Sequence, residues 1–139
     1  MAAAGAPTDT AELFPIPDSA TIAAVPKSVL LCDDDDDMIA LLEHYLHRSG
    51  YGLITSSDTA EAIDKTLKFE PDLVLMDCNV PGVGGVAAAK ALRERGFAKP
   101  IVALTASKLS DAEKGVFTHF FRKPAPMQEL LSEIRRLTH

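Results

Sequence analysis

Asp77 closes a run of four apolar residues, Leu73-Val74-Leu75-Met76, and opens the stretch Cys78-Asn79-Val80-Pro81-Gly82. A second apolar run, Val29-Leu30-Leu31-Cys32, ends in five consecutive aspartates, at positions 33–37. Two buried strands that deliver carboxylates to their carboxyl ends make a site, because open parallel sheets bind ligands along that edge. Crowded carboxylates repel unless a proton or a cation joins them. At neutral pH a hard divalent ion with oxygen ligands answers that need, and Mg²⁺ is the usual one. Two further strand ends supply Thr105 and Lys123, the latter followed by Pro124. A hydroxyl, an ammonium and a metal around a nucleophilic carboxylate suit phosphoryl transfer.

The elements that must position these groups alternate from Lys27 onward. Residues 29–32 read as a fully buried strand. Met38, Leu41, Leu42, Tyr45 and Leu46 recur at helical spacing up to Gly50. A second strand is predicted over 51–56. Asp58 opens a helix, with Glu61 placed for a capping box, and Pro71 stops it. The third strand is 73–76, and a glycine-rich loop leads to a helix over 86–94. The fourth strand is 101–104, a short helix fits within 107–114, and the fifth strand is predicted over 117–121. Pro126 suits the first turn of a last helix, with Met127, Leu130, Leu131, Ile134 and Leu137 inward and Arg135 and Arg136 in its last turn. Strands alternating with helices give a parallel sheet covered on both faces. The expected fold is α/β, a doubly wound five-stranded parallel sheet in the flavodoxin-like order 2-1-3-4-5.

The chain resembles the receiver domain of two-component response regulators. The resemblance rests on Val29-Leu30-Leu31-Cys32-Asp33-Asp34, on Leu73 through Gly82 with Gly85, on Val102-Ala103-Leu104-Thr105-Ala106 and on Lys123-Pro124. It covers residues 28–137, nearly all of a domain expected at 27–139. The resemblance implies that Asp77 is the phosphoacceptor, charged by a histidine kinase or a histidine phosphotransfer protein. It implies that Asp34, Asp77 and the Asn79 backbone carbonyl ligate Mg²⁺ directly, and that Asp33 acts through water. Thr105 and Lys123 would each hold a phosphoryl oxygen. Phe120 would be the switch aromatic, turning inward as Thr105 moves and altering the surface offered to a downstream protein target. The resemblance also implies that the positions of Asn79 and Ser107 modulate water attack on the acyl phosphate.

The match departs between Thr105 and Lys123, where this chain is shorter than the family by about one helical turn of roughly 3.6 residues. A short or distorted fourth helix is expected there. Residues 1–26 form an Ala- and Pro-rich extension with no Lys or Arg. Its composition suits a flexible tail. The compact apolar cluster Leu13-Phe14-Pro15-Ile16 instead suits packing on a partner or on the domain, including the gap left by the shortened helix.

The 139 residues suffice for one domain with a proper core. A formal charge of -6 argues against a nucleic-acid partner held by phosphate contacts. Two cysteines, Cys32 and Cys78, and no secretion signal point to a reducing cytoplasm, and no apolar stretch is long enough to span a membrane. The last predicted helix ends almost at His139, which suits a stand-alone regulator, a phosphorelay intermediate or the terminal piece of a hybrid kinase; Met1 favours the first two, and an enzyme acting on an external substrate is not expected. Asp35, Asp36 and Asp37 read as solvated acids at a helix start, and His44 and His47 as an exposed pair. Two other functions compete. Asp33-Asp34-Asp35 also fits the Asp-x-Asp signature of a haloacid-dehalogenase-like phosphatase. A pseudo-receiver would bind its partner without phosphorylation.

Overall fold

A computed structural model describes residues 26–139. The expectations for the extension therefore fall outside the described residues, apart from Pro26. Five parallel strands form one sheet: β1 (Ser28–Cys32), β2 (Gly52–Ser56), β3 (Leu73–Asp77), β4 (Ile101–Thr105) and β5 (His119–Arg122). They lie in the order β2-β1-β3-β4-β5, as the alternation of elements predicts. The helices are α1 (Asp36–Arg48), α2 (Thr59–Phe69), α3 (Gly85–Glu94), the four-residue α4 (Asp111–Lys114) and α5 (Met127–Leu137).

The alternation of strand side chains divides the core in two. Leu30, Cys32, Val74, Met76, Ile101 and Ala103 point to one face, under Ala62 of α2 and Ala88, Ala89 and Leu92 of α3. Val29, Leu31, Leu73, Leu75, Val102 and Leu104 point to the other, under Leu42 and Leu46 of α1 and Leu130 and Ile134 of α5. β3 and β4 are buried along their whole length. A central strand buried on both faces cannot slip by one residue without exchanging its two sets of contacts, so Asp77 is held opposite Leu104, with Thr105 one residue further along the sheet edge.

Several local expectations shift by a residue or two. α1 begins at Asp36 because Asp35 caps it, its side chain accepting from the Asp37 N–H. Within α1, Leu42 and Leu46 are buried, whereas Leu41 and Tyr45 are 45% and 37% exposed. Asp58 caps α2 by accepting from the Glu61 N–H, but the Glu61 carboxylate accepts from Ser57 N–H instead of closing a capping box. A full capping box occurs at α4, between Ser110 and Glu113. Pro126 is the residue that precedes α5, not a member of its first turn. β5 starts at His119 because Thr118 closes the ladder: its N–H donates to Ile101 O, and its hydroxyl accepts from Ile101 N–H. Phe117, expected in the strand, is buried in the turn before it.

The loop after β3 is pinned by the first residue of α2. Thr59 N–H donates to Pro81 O at 3.1 Å, and Val83 N–H donates to Thr59 Oγ1 at 3.0 Å. Gly82 lies against that hydroxyl with φ +118°, and a Cβ there would fall 2.0 Å from Thr59 Oγ1. Gly84, at φ +92°, has open space around it. Gly84→Ala therefore meets backbone strain alone, about 1–2 kcal/mol. Gly82→Ala meets strain plus a clash and is expected to cost about 1 kcal/mol more. Urea unfolding midpoints of the two variants check the order.

Candidate functional site

The carboxyl ends of β1, β3, β4 and β5 are adjacent in the sheet, and side chains that follow or end β1, β3 and β5 meet there. Asp33 follows β1 and is fully buried; Asp34 is exposed; Asp77 ends β3 and is 2% exposed. Carboxylate oxygens of Asp33, Asp34 and Asp77 all lie within 4.8 Å of one another. Lys123 follows β5, and its Nζ donates to Asp77 Oδ2 at 2.6 Å. Asp77 Oδ1 accepts from Asn79 N–H at 2.9 Å, the tight turn that starts the β3–α3 loop. Lys123 is positioned by β4, since its own N–H donates to Thr105 O at 2.8 Å.

Charge organises this edge. Desolvation pushes the Asp33 carboxyl above the usual aspartate range, and the Asp77 charge adds to the push; the Asp35 N–H and Lys123 oppose it. Asp33 Oδ1 accepts from Asp35 N–H, but Oδ2 is buried without a partner. Burial draws Lys123 downward, yet the hydrogen bond and charge of Asp77, with Asp33 and Asp35 behind it, hold its pKa above the ordinary lysine value. An orphaned buried carboxylate oxygen beside two further carboxylates is a donor set of hard oxygens, and it fits a small divalent cation.

The remaining expected residues fall as follows. The Thr105 hydroxyl is buried and occupied locally, donating to Ser107 O at 2.8 Å and accepting from Ser107 N–H at 3.0 Å. The Asn79 side chain bridges two loops, its Oδ1 accepting from Ala106 N–H at 3.2 Å. The spacing of Asn79 from Asp77 gave no hint of that bridge; the neighbouring places of β3 and β4 in the predicted strand order were the available signal. Phe120 is half-buried against the α2–α3 core, with Lys114 Nζ 5.1 Å from its ring centroid. Cys32 and Cys78 are both pushed up to about 11, mainly by burial, so they are neutral thiols near pH 7. His44 and His47 are both exposed. Asp35, the second acid of the Asp-x-Asp signature in the phosphatase reading, is engaged in capping α1. Beside the acidic cluster lies a cleft of about 430 Å³, lined by Met38, Leu41, Leu104, Pro124, Ala125 and Met127 together with Asp33, Asp35 and Lys123.

The model of the response regulator receiver domain matches residues 29–135. The alkaline phosphatase synthesis transcriptional regulatory protein PhoP of Bacillus subtilis is 33% identical over 116 residues, covering 80% of this chain and 48% of that protein. The transcriptional regulatory protein PrrA of Mycobacterium tuberculosis is 34% identical over 113 residues, covering 78% and 48%. The chain thus spans about half the length of these curated relatives. Among solved structures, chemotaxis response regulator CheY4 of Vibrio cholerae is similar with a TM-score of 0.74 and 30% identity, covering 81% of this chain and 98% of that one. Response regulator TrrA of Thermotoga maritima, in complex with Mg²⁺-BeF, gives a TM-score of 0.73 at 28% identity, covering 80% and 98%. Among the described residues no helix is long and apolar enough to cross a membrane.

Asp33 supplies the prediction of this site. A buried acid whose folded pKa is raised contributes stability below its unfolded pKa, and that contribution is lost as pH rises through the folded value. Asp33→Asn is therefore expected to stabilise the ion-free protein at pH 7 by about 1–2 kcal/mol and to flatten the fall in stability above pH 4. The same change is expected to weaken Mg²⁺ binding. Denaturant titrations across pH, with and without Mg²⁺, measure both effects; a less stable ion-free variant at pH 7 would contradict the charge argument.

Proposed function

The chain belongs to the family of response regulator receiver domains, and we propose that Asp77 is its phosphoacceptor. The observation that carries the proposal is the coincidence at one carboxylate of three features. Asp77 ends a doubly buried strand, Lys123 Nζ sits 2.6 Å from its Oδ2, and two further carboxylates lie within 4.8 Å. Asp33, Asp34, Asp77 and the Asn79 carbonyl would hold Mg²⁺. When bound, that ion neutralises the carboxylates and withdraws charge from phosphoryl oxygens.

An Asp77 oxygen attacks the phosphorus of a phosphohistidine on a kinase or phosphotransfer protein. The new P–O bond forms as the P–N bond breaks, and the imidazole leaves with the electron pair. Lys123 stays within reach of the transferred group and compensates its added charge. Thr105 must exchange its bonds with Ser107 for a phosphoryl oxygen. That exchange loosens the β4–α4 loop beside Phe120, whose ring then shifts the balance between two arrangements of the surface. Hydrolysis returns the carboxylate: water adds to phosphorus, the acyl phosphate P–O bond breaks, and inorganic phosphate departs. No external substrate is turned over, so the role is that of a phosphoryl carrier that switches the binding of a downstream protein in a phosphorelay. The apolar cleft beside Asp33, with Leu41 exposed at its rim, supports docking of a phosphodonor protein there.

Incubation with acetyl phosphate and Mg²⁺, followed by mass spectrometry, tests the assignment. The wild-type chain is expected to gain one phosphoryl group on Asp77, and Asp77→Asn or removal of Mg²⁺ by a chelator to reduce uptake at least about 100-fold. Lys123→Gln is expected to fold and to lose most of its uptake. Undiminished labelling of Asp77→Asn would refute the assignment.

A further inference from the structure

Among the described residues, strand β2 supplies no carboxylate to the acidic cluster, which is built from Asp33, Asp34 and Asp77. The corner that follows β2 nevertheless touches both loops that carry those acids. On the β1 side, Asp33 N–H donates to Ser56 O at 3.0 Å, and Cys32 Sγ donates to Asp58 O at 3.6 Å. On the β3 side stands Thr59, the first residue of α2, with 1% of its surface exposed. Its N–H donates to Pro81 O at 3.1 Å, its hydroxyl accepts from Val83 N–H at 3.0 Å, and the same hydroxyl donates to Pro81 O at 3.5 Å. Helix α2 does not need these bonds for its own start, since Asp58 caps it by accepting from Glu61 N–H. The buried hydroxyl of Thr59 serves the β3–α3 loop.

That loop is anchored at two places. Near its start, Cys78 N–H donates to Leu104 O at 2.8 Å, and Asn79 N–H donates to Asp77 Oδ1 at 2.9 Å. Further on, Thr59 holds Pro81 and Val83. The Asn79 carbonyl, the one backbone group expected to hold the ion, lies between the two anchors. Gly82 leaves the second anchor no slack, because a Cβ there would fall 2.0 Å from Thr59 Oγ1. Val83 is 69% exposed, so packing of its side chain does not replace the bond to its N–H. Mg²⁺ demands near-ideal octahedral geometry, whereas Ca²⁺ accepts more oxygens in looser arrangements. A rigidly placed carbonyl therefore matters more to the smaller ion.

We propose that Thr59 is a positioning residue whose hydroxyl, by fixing the β3–α3 loop, sets the preference of the acidic site for Mg²⁺ over Ca²⁺. The proposal rests on the reading of Asp33, Asp34, Asp77 and the Asn79 carbonyl as the ligands of the ion. Thr59 itself touches neither the ion nor the reacting atoms. Without the hydroxyl, Val83 N–H loses its acceptor and the loop gains freedom between Pro81 and Val83. The larger ion adapts to a carbonyl held less firmly, and the smaller one does not.

Titrations of the full chain with Mg²⁺ and with Ca²⁺, followed through the amide resonances of Asn79 and Val83, test this without any phosphoryl transfer. Thr59→Val keeps the side-chain shape and the backbone bond to Pro81. It is expected to weaken Mg²⁺ binding about tenfold and Ca²⁺ binding by less than about twofold, and to speed hydrogen exchange at Val83. Thr59→Ser, which keeps the hydroxyl, is expected to restore the wild-type ratio of the two affinities. Where Thr59→Val does not fold, Gly82→Ala presses on the same hydroxyl from the loop and is expected to lower the ratio in the same direction. An unchanged ratio in these variants, with both affinities falling in proportion or neither moving, would show a merely structural role and overturn the proposal. Failure of Thr59→Ser to rescue would also overturn it. A wild-type chain that binds neither ion would remove the ligand assignment and the proposal together, whereas wild-type binding with an unmoved ratio refutes the role of Thr59 alone.

Discussion

The fold brings negative charges together where water cannot fully screen them. Asp33 and Asp77 end neighbouring strands of a parallel sheet, and their oxygens approach within 4.8 Å. Two full charges that close repel by roughly 3–4 kcal/mol at an effective dielectric constant of 20. The protein supplies one internal answer, Lys123, and leaves one oxygen of Asp33 without a partner. The rest of the architecture holds this unfavourable arrangement in place. β1 and β3 are buried from both sides, α2 and α3 clamp one face, and α1 and α5 clamp the other. A looser scaffold would let the carboxylates separate. A rigid one keeps the site poised for a cation and for a group that carries more negative charge still.

Much of this was legible in the sequence because parallel strands leave a strong signature. Val29-Leu30-Leu31-Cys32 and Leu73-Val74-Leu75-Met76 are continuous apolar runs, as burial on both faces demands. The position of Asp77, Thr105 and Lys123 immediately after such runs, or after the fifth strand, fixed their edge of the sheet. Other features depend on packing that a pattern does not specify. Leu41 and Tyr45 fit the helical period of α1, yet the stripe is wider than the surface the sheet covers, and they face outward. Phe117 has the side chain of a strand residue, but the Thr118 hydroxyl takes the ladder position at Ile101 and displaces it into a turn. The Asn79–Ala106 bridge joins two loops that meet only because β3 lies beside β4.

The shortened region after β4 keeps its connection to the site through few contacts. α4 is a single capped turn, with Leu109 and Phe117 filling the space beneath it. Thr105 is tied to Ser107 and Asn79 to Ala106, so both loops adjoining Asp77 are closed by local hydrogen bonds. Lys114 over the Phe120 ring links the same turn to β5. Phosphorylation at Asp77 would thus act through exchanged hydrogen bonds of comparable strength, each about 0.5–1.5 kcal/mol, and would reweight two states rather than drive one to completion.

Fluorine magnetic resonance of beryllofluoride binding, which mimics the acyl phosphate without covalent turnover, addresses the central claim most directly. Bound fluoride resonances are expected with the wild-type chain when Mg²⁺ is present, and none are expected in chelator or with Asp77→Ala. Equal bound signals without Mg²⁺, or with residue 77 lacking a carboxylate, would contradict the account.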